Sequence, residues 1–418
     1  MVCKTRNCIS DDVHPRRQCN RIQERRCEAV IALAEAFLKE HRDFAKATDF
    51  QKFVSTVANE LIEAIQNGAA HEDYSKFEEN MATWFAKETE PRTHYIPCSI
   101  SPYDSKPFRV GPVIFHTVSS FKSNNEIDLK DELEQFGYNQ LLKFATEQGA
   151  NWIAEIRIEG YDRTRSSELA DLATDIALTV LQLIIPSSIS REVSRSTART
   201  IPRFMGTFNK VGEHLAIGHT RCDPCFSYSA EYFDALLCKN KTILDSVGQR
   251  IYSFITNKSA LSKLEQAWCD AAYWFHEGVS EKLDTIAITK MEASIEVMLF
   301  AESSKGSKDR LLKAFKAIYG LDGKQPLRHN DPRTVIKFID SIVTARSRIL
   351  HGTWSTLTHR PSTRDEHQHR NEVELLAIDL LINFTLQLDE YANIESPEDD
   401  IKKFLEWIAI RKGNAPES

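Results

Sequence analysis

The 418-residue chain predicts a mostly α-helical protein with three parts: an N-terminal helical segment, a small α+β domain and a C-terminal antiparallel helical bundle. Three observations carry this. Apolar residues recur at helical spacing through residues 1–90 and again, with no strand texture, from Lys258 onward. Between them lie short stretches of β-branched and aromatic residues punctuated by Pro and Gly, as strands are. With 42% hydrophobic and 27% charged residues the composition is ordinary for a globular protein. That excludes a wholly disordered chain, a collagen-like chain and a disulfide scaffold. The expected domains are 1–90, 91–255 and 256–418.

From Arg17 to Phe44, apolar residues including Ile22, Val30, Leu33 and Phe37 mark a helix. Its start is basic, with Arg16, Arg17, Arg21, Arg25 and Arg26, a solvated face or a phosphate-contacting one. Further helices fit Phe50–Gln66 and Tyr74–Lys87. Tyr95–Ile100 and Pro107–His116 read as strands, and Asn125–Gln148 as helix. Trp152, Ala154, Ile156 and Ile158 alternate with charged neighbours, a half-buried strand. Leu169–Ile185 is helical and stops at Pro186. The Ser-, Arg- and Thr-rich stretch 186–206 reads as a loop.

Bundle helices are expected near 259–279, 283–303, 307–319, 332–350, 370–391 and 397–411. The fourth has a start signal, Asp331 to cap and Pro332 at the first helical position. Val335, Phe338, Ile339, Ile342 and Ile349 form one apolar stripe on it; Val373, Leu376, Leu380, Phe384 and Leu388 do the same on the fifth. Amphipathic helices joined by short connections imply a bundle.

Lys plus Arg total 53 and Asp plus Glu 60, a formal net charge of -7. A protein that coats nucleic acid by bulk positive charge is excluded, while a local basic site is not. The N-terminus lacks the apolar core of a signal peptide. The longest apolar stretch, Ile176–Ile185, is broken by Thr179 and Gln182 and falls short of the ~20 residues a bilayer needs. The expectation is therefore a cytoplasmic protein without membrane association. Its nine irregularly spaced cysteines are expected to be mostly free thiols.

Phosphate-loop, dinucleotide and nucleophile-elbow motifs are absent. His276-Glu277 begins like a zincin helix, but position 280 is Ser. Cys222 and Cys225, with His219 upstream and Cys238 as a fourth ligand, resemble half a zinc site; free cysteines in a turn fit the same residues. His367 and His369 can chelate a metal or face solvent or RNA. The expectation is no metal and no cofactor.

The fourth bundle helix ends Arg346-Ser347-Arg348-Ile349-Leu350-His351-Gly352. Arg346 lies one turn after Ile342, at the flank of the apolar stripe, where its stem can be buried and its head exposed. Gly352 is placed to end the helix. His351 then meets the negative end of the helix dipole, which favours imidazolium, while Arg346 and Arg348 oppose it, a balance suited to acid–base work. From Arg346 to Arg370 there are five Arg, one Asp, one Glu and no Lys, an excess of +3. His351, His359, His367 and His369 join them, and Trp354 can stack on a base.

The Arg346–Gly352 run resembles the R-polar-x3-H-G signature of HEPN ribonucleases, particularly the Apea-like branch. Ala293–Leu299, with Glu296 among large apolar residues, is similar to that branch's upstream helix. The resemblance covers roughly residues 258–411. More weakly, Pro107–Val113 and the strand–helix unit 151–185 look like the region preceding the bundle in longer relatives.

The resemblance implies a HEPN-type bundle and a metal-independent endoribonuclease acting on tRNA or other cellular RNA. It further implies a homodimer whose composite active site brings together Arg346 and His351 of two protomers. His351 would be the general base or acid, Arg346 the stabiliser of phosphorane charge, and Ser347 an orienting group. Ser stands where many relatives have Asn or another polar residue. Glu296 and Arg348 would support the site, Glu296 by pairing with Arg346. Trp354, His359, Arg360, Arg364 and Arg370 are the RNA-binding candidates. By the same analogy the protein is expected to be a toxin or abortive-infection effector in antiviral defence, controlled by a phage-derived trigger or an inhibitory partner. The alternative is a non-catalytic HEPN module that binds RNA or a partner protein.

Overall fold

The computed structural model describes residues 28–66, 74–123, 129–199, 204–221, 223–328, 331–357 and 364–414. The chain forms two compact units. The first comprises residues up to Arg92 together with Ile158–Glu168; the second comprises Thr93–Arg157 and Leu169–Ser418.

In the first unit, helices α1 (residues 28–40), α2 (Arg42–Ala47), α3 (Phe50–Gln66) and α4 (Tyr74–Glu88) enclose a small core of Ala34, Phe37, Phe53, Val57 and Met81. The single helix expected up to Phe44 is broken at His41. There the His41 ring stacks on Phe37 and the chain turns into α2. The arginine-rich start at 16–26 lies outside the described residues. Asp162 ties the unit together: its amide donates to the Ala47 carbonyl (2.8 Å), and its carboxylate accepts from the amides of Asp49 (3.0 Å) and Arg165 (2.8 Å).

The second unit begins with a five-stranded sheet in the order β2-β3-β4-β1-β5. Its strands are β1 (Arg92–Ser99), β2 (Phe108–Val110), β3 (Val113–Thr117), β4 (Trp152–Ile158) and β5 (Ser194–Arg195). The β2–β3, β3–β4 and β1–β5 pairs are antiparallel. Between β3 and β4 run α5 (Val118–Ser123) and α6 (Glu132–Gln148), where one helix was expected; α6 starts at an Asp131 cap. Helix α7 (Arg163–Ile184) begins six residues earlier than expected. The stretch read as a loop contains α8 (Ser187–Ser190) and β5, and is followed by an unforeseen hairpin of β6 (Phe204–Val211) and β7 (His214–Arg221).

Helices α9 (Ala230–Lys239) and α10 (Lys241–Thr256) lead into the bundle of α11 (Ser262–Val279), α12 (Asp284–Met298), α13 (Ser304–Tyr319), α14 (Val335–Leu350), α15 (Arg364–Tyr391) and α16 (Ile401–Arg411). The start expected at Asp331-Pro332 is corrected. Asp331–Thr334 is a strand, β9, paired with β8 (Pro326–Arg328), and α14 begins after it at Val335. A fixed proline φ is as compatible with an edge strand as with a first helical turn. Helix α12 packs on α11, α14 and α15, and α13 on α14 and α16.

Polar groups buried between α7, α11 and β5 are satisfied mutually. Arg195 donates to both carboxylate oxygens of Asp175 (2.7 and 2.8 Å) and pairs with Asp171 (2.8 Å). His276, also buried here, shares a hydrogen bond with Gln182 (2.9 Å), and burial holds its pKa down near 3. The zincin-like His276-Glu277 pair is thus part of the core.

The sheet meets the bundle at a contact of two glycines. Gly111 turns β2 into β3 at φ +57, a left-handed conformation that costs a side-chain-bearing residue strain. A Cβ at Gly248 of α10 would lie 2.4 Å from the Gly111 nitrogen. Gly248→Ala must therefore move backbone, at a cost of about 1–3 kcal/mol. Urea unfolding monitored by circular dichroism is expected to show that loss, and Gly111→Ala a larger one because it adds strain to the clash.

Candidate functional site

One face of α14 lines a cleft of ≈ 310 Å³. Val343, Arg346, Ser347, Leu350 and His351 recur at the 3–4 residue spacing of a single helical stripe. The opposite wall is Glu296 of α12 with Ala301–Ser304 of the α12–α13 connection. The structure therefore brings Arg346, Ser347, His351 and Glu296 into one site.

Each is positioned by local backbone logic. Helix α14 ends because Gly352 takes φ +73. The amides of His351 and Gly352 donate to Ser347 O (3.0 Å) and Ile349 O (3.1 Å), and that of Trp354 returns to Arg348 O (3.0 Å). His351 is exposed at this terminus, its ring free of the helical ladder. On the other wall, α12 ends with Phe300 at φ +54, a conformation that strains a non-glycine residue. The Ala301 amide there donates to Glu296 O (2.9 Å). Helix α13 then opens at the cleft, with Ser303 capping the Gly306 amide (3.1 Å).

Arg346 Nη1 donates to Glu296 Oε2 in a close charge-assisted bond. The Glu296 side chain is 10% exposed and that of Arg346 30%, so the pair is shielded on the glutamate side and open toward the cleft. Glu296 is buried, and the expected pairing is present.

A second carboxyl, Glu292, lies one turn before Glu296 on the same face of α12. It is 1% exposed, and neither of its oxygens has a hydrogen-bond partner among the described residues. Burial first, and then the charge of Glu296, push its pKa up to about 8, with Arg346 opposing. Burial thus favours the protonated form of Glu292, one turn from the carboxyl that pairs with Arg346. Nothing in the sequence sets Glu292 apart from a surface glutamate; its burial comes from the packing of α12.

The remaining candidates are dispersed. Arg348 is exposed and its guanidinium lies 5.4 Å from the centre of the Trp354 ring, which also neighbours the His369 ring at 5.8 Å. Trp354 is half-buried, with this partial stack in place. Arg370 is buried, donating to Asp284 (2.8 Å) and to the Val279 carbonyl (3.1 Å), and does not line the cleft. His359 and Arg360 lie outside the described residues, as do the side chains of Arg364 and His367.

Of the zinc candidates, Cys225 is buried with its thiol pushed up to about 12 by desolvation, and Cys238 is exposed. Cys222 and the His219 side chain lie outside the described residues. No group of three or more His, Cys, Asp or Glu among the described residues is arranged to hold a metal ion. No helix among them is long and apolar enough to cross a membrane. No family model, curated protein or solved structure matches the chain.

The buried acid sets a pH dependence. Because the folded pKa of Glu292 lies above its ordinary 4.5, the unfolded chain releases this proton first as pH rises. Its contribution to stability is therefore full below about pH 4.5 and is lost as pH rises through about 8. Urea midpoints at pH 5, 7 and 9 are expected to fall more steeply for the wild type than for Glu292→Gln, whose neutral amide removes this titration. Parallel curves would show that Glu292 does not carry a raised pKa.

Proposed function

We propose that the chain is a metal-independent endoribonuclease of HEPN type, with Arg346, Ser347 and His351 as its reacting constellation. One observation carries this reading: Arg346, Ser347 and His351, picked out as a linear motif, line a single cleft at the end of α14, with Arg346 oriented by a buried carboxylate. A spacing that matched by chance would have no reason to open into a shared cavity with a dedicated partner for the arginine.

The chemistry follows from the side chains. An RNA phosphate placed in the cleft meets the Arg346 fork, which suits phosphoryl oxygens. It also lies near the N-terminus of α13, whose amides and dipole favour an anion. His351 takes the proton of the ribose 2′-OH as its oxygen attacks phosphorus. The P–O5′ bond breaks and the leaving oxygen takes a proton from solvent, to which His351 returns its own, leaving a 2′,3′-cyclic phosphate and a 5′-OH. Charge gathers on the non-bridging oxygens in the transition state, where a fixed guanidinium stabilises it most. Ser347, with one hydroxyl, orients the phosphate or the imidazole.

In this reading Arg348 and Trp354 are RNA contacts outside the cleft. Arg370 is a structural residue that ties α15 to α12. Two protomers would pair with their clefts opposed in the cytoplasm. The residues before the bundle would restrain or sense, consistent with a toxin or abortive-infection effector released by a phage-derived trigger. The second reading, a non-catalytic HEPN module that binds RNA or a protein, is favoured by the Arg346–Glu296 pair itself, which occupies the arginine.

Induced expression of wild type, Arg346→Ala and His351→Ala, with and without phage, separates the two. Wild type alone is expected to yield tRNA or other RNA fragments ending in cyclic phosphate. Either substitution should lower cleavage at least ~100-fold with the fold retained. Equal behaviour of three equally folded proteins would leave the binding module.

A further inference from the structure

A second pocket, of ≈ 500 Å³, opens where α13 ends and α14 begins, closed on one side by the β8–β9 hairpin and on another by α15. It is a site apart from the cleft. Helix α13 starts at the cleft and ends at this pocket, whereas α14 starts at the pocket and ends at the cleft. The two cavities therefore lie roughly 15–20 Å apart along the same helix pair, at 1.5 Å per residue.

Its walls specify a chemistry. The floor is aromatic: Phe315 packs edge-on against Phe338 (6.1 Å) and against Tyr319 (5.3 Å). Arg333 lies over Phe338, its guanidinium carbon 5.6 Å from the ring centre, and makes a two-pronged pair with Glu372 (2.6 and 3.2 Å). A guanidinium fixed by two hydrogen bonds beside an aromatic floor offers, with that floor, a surface on which another planar ring packs. Asp379 accepts from Tyr319 Oη and Asn383 Nδ2 through Oδ2 alone, so Oδ1 takes no hydrogen bond among the described residues. It is an acceptor placed for an N–H group. Arg328 stands exposed on β8 at the rim, without an ion pair among the described residues, and suits an anion. The volume is within the range of small-molecule sites, which are apolar with few directed polar groups.

We propose that this pocket binds a small ligand made of a planar ring bearing an N–H donor and, a few bonds away, an anionic group. The ring packs on the aromatic floor beside Arg333, the N–H meets Asp379, and the anion meets Arg328. Nucleoside monophosphates and tryptophan, with its indole N–H, share this chemistry, and the experiment separates them.

Isothermal titration of the purified full-length chain would use AMP and GMP in one arm, and tryptophan in the other. Saturable one-to-one binding in either arm is the expected result and names the source. Within the binding arm, the counterpart lacking the anion (the nucleoside, or the decarboxylated amine) should bind at least tenfold more weakly. Leu375→Trp fills the pocket from an exposed position on α15, and Arg328→Ala removes the rim charge. Both should weaken binding at least tenfold while leaving the melting temperature unchanged. His351→Ala should bind as wild type, so the result does not depend on whether the cleft cleaves RNA. Absence of saturable binding in both arms, or binding that survives Leu375→Trp, would overturn the proposal.

Discussion

Helix α12 is covered on three sides by α11, α14 and α15, and this enclosure sets the terms for every charge upon it. A carboxylate deprived of water must find a cation or keep its proton. The two glutamates of α12 take one solution each: Glu296 binds Arg346, while Glu292, a turn away and without a partner, remains protonated. The arrangement is economical in cations. One guanidinium holds one negative charge, and the second potential charge is suppressed by burial first and then by its neighbour. It also fixes where Arg346 points, because a side chain with many rotamers is pinned at its tip by an acid that cannot move.

The same rule governs the rest of the second unit. Arg195 answers Asp171 and Asp175, and His276 is kept neutral beside Gln182. Arg250 of α10, 3% exposed, pairs with Asp389 of α15 (2.6 Å). Such contacts contribute little net stability, but removing one partner strands the other in a dry interior. They act as alignment marks between elements that are otherwise joined by interchangeable aliphatic contacts.

Much of the bundle was legible in the sequence because burial follows helical period. The stripe Val335, Phe338, Ile339, Ile342 and Ile349 is buried throughout, as is that of Val373, Leu376, Leu380, Phe384 and Leu388. The end of α14 was legible too, because only glycine takes the left-handed turn readily. What escaped was set by tertiary contact. Asp331-Pro332 carries a helix-start signal, yet pairing with β8 makes it a strand. The β6–β7 hairpin is exposed on both faces, with Phe208, Leu215 and Ile217 open to solvent, so no buried face announced it. Arg370 read as an RNA-binding candidate because its partners, Asp284 and a carbonyl of α11, are more than eighty positions away. Glu292 reads as an ordinary surface glutamate until α14 covers it.

The contact of Gly111 with Gly248 has a mechanical consequence. Where side chains meet, they hop between rotamers and absorb small displacements. Two bare backbones in van der Waals contact have no such compliance. The sheet can glide along α10 at this point but cannot approach it, and it cannot tilt without lifting off. Any signal that crosses from strand to bundle here must travel as a whole-body displacement rather than as a rearrangement of side chains.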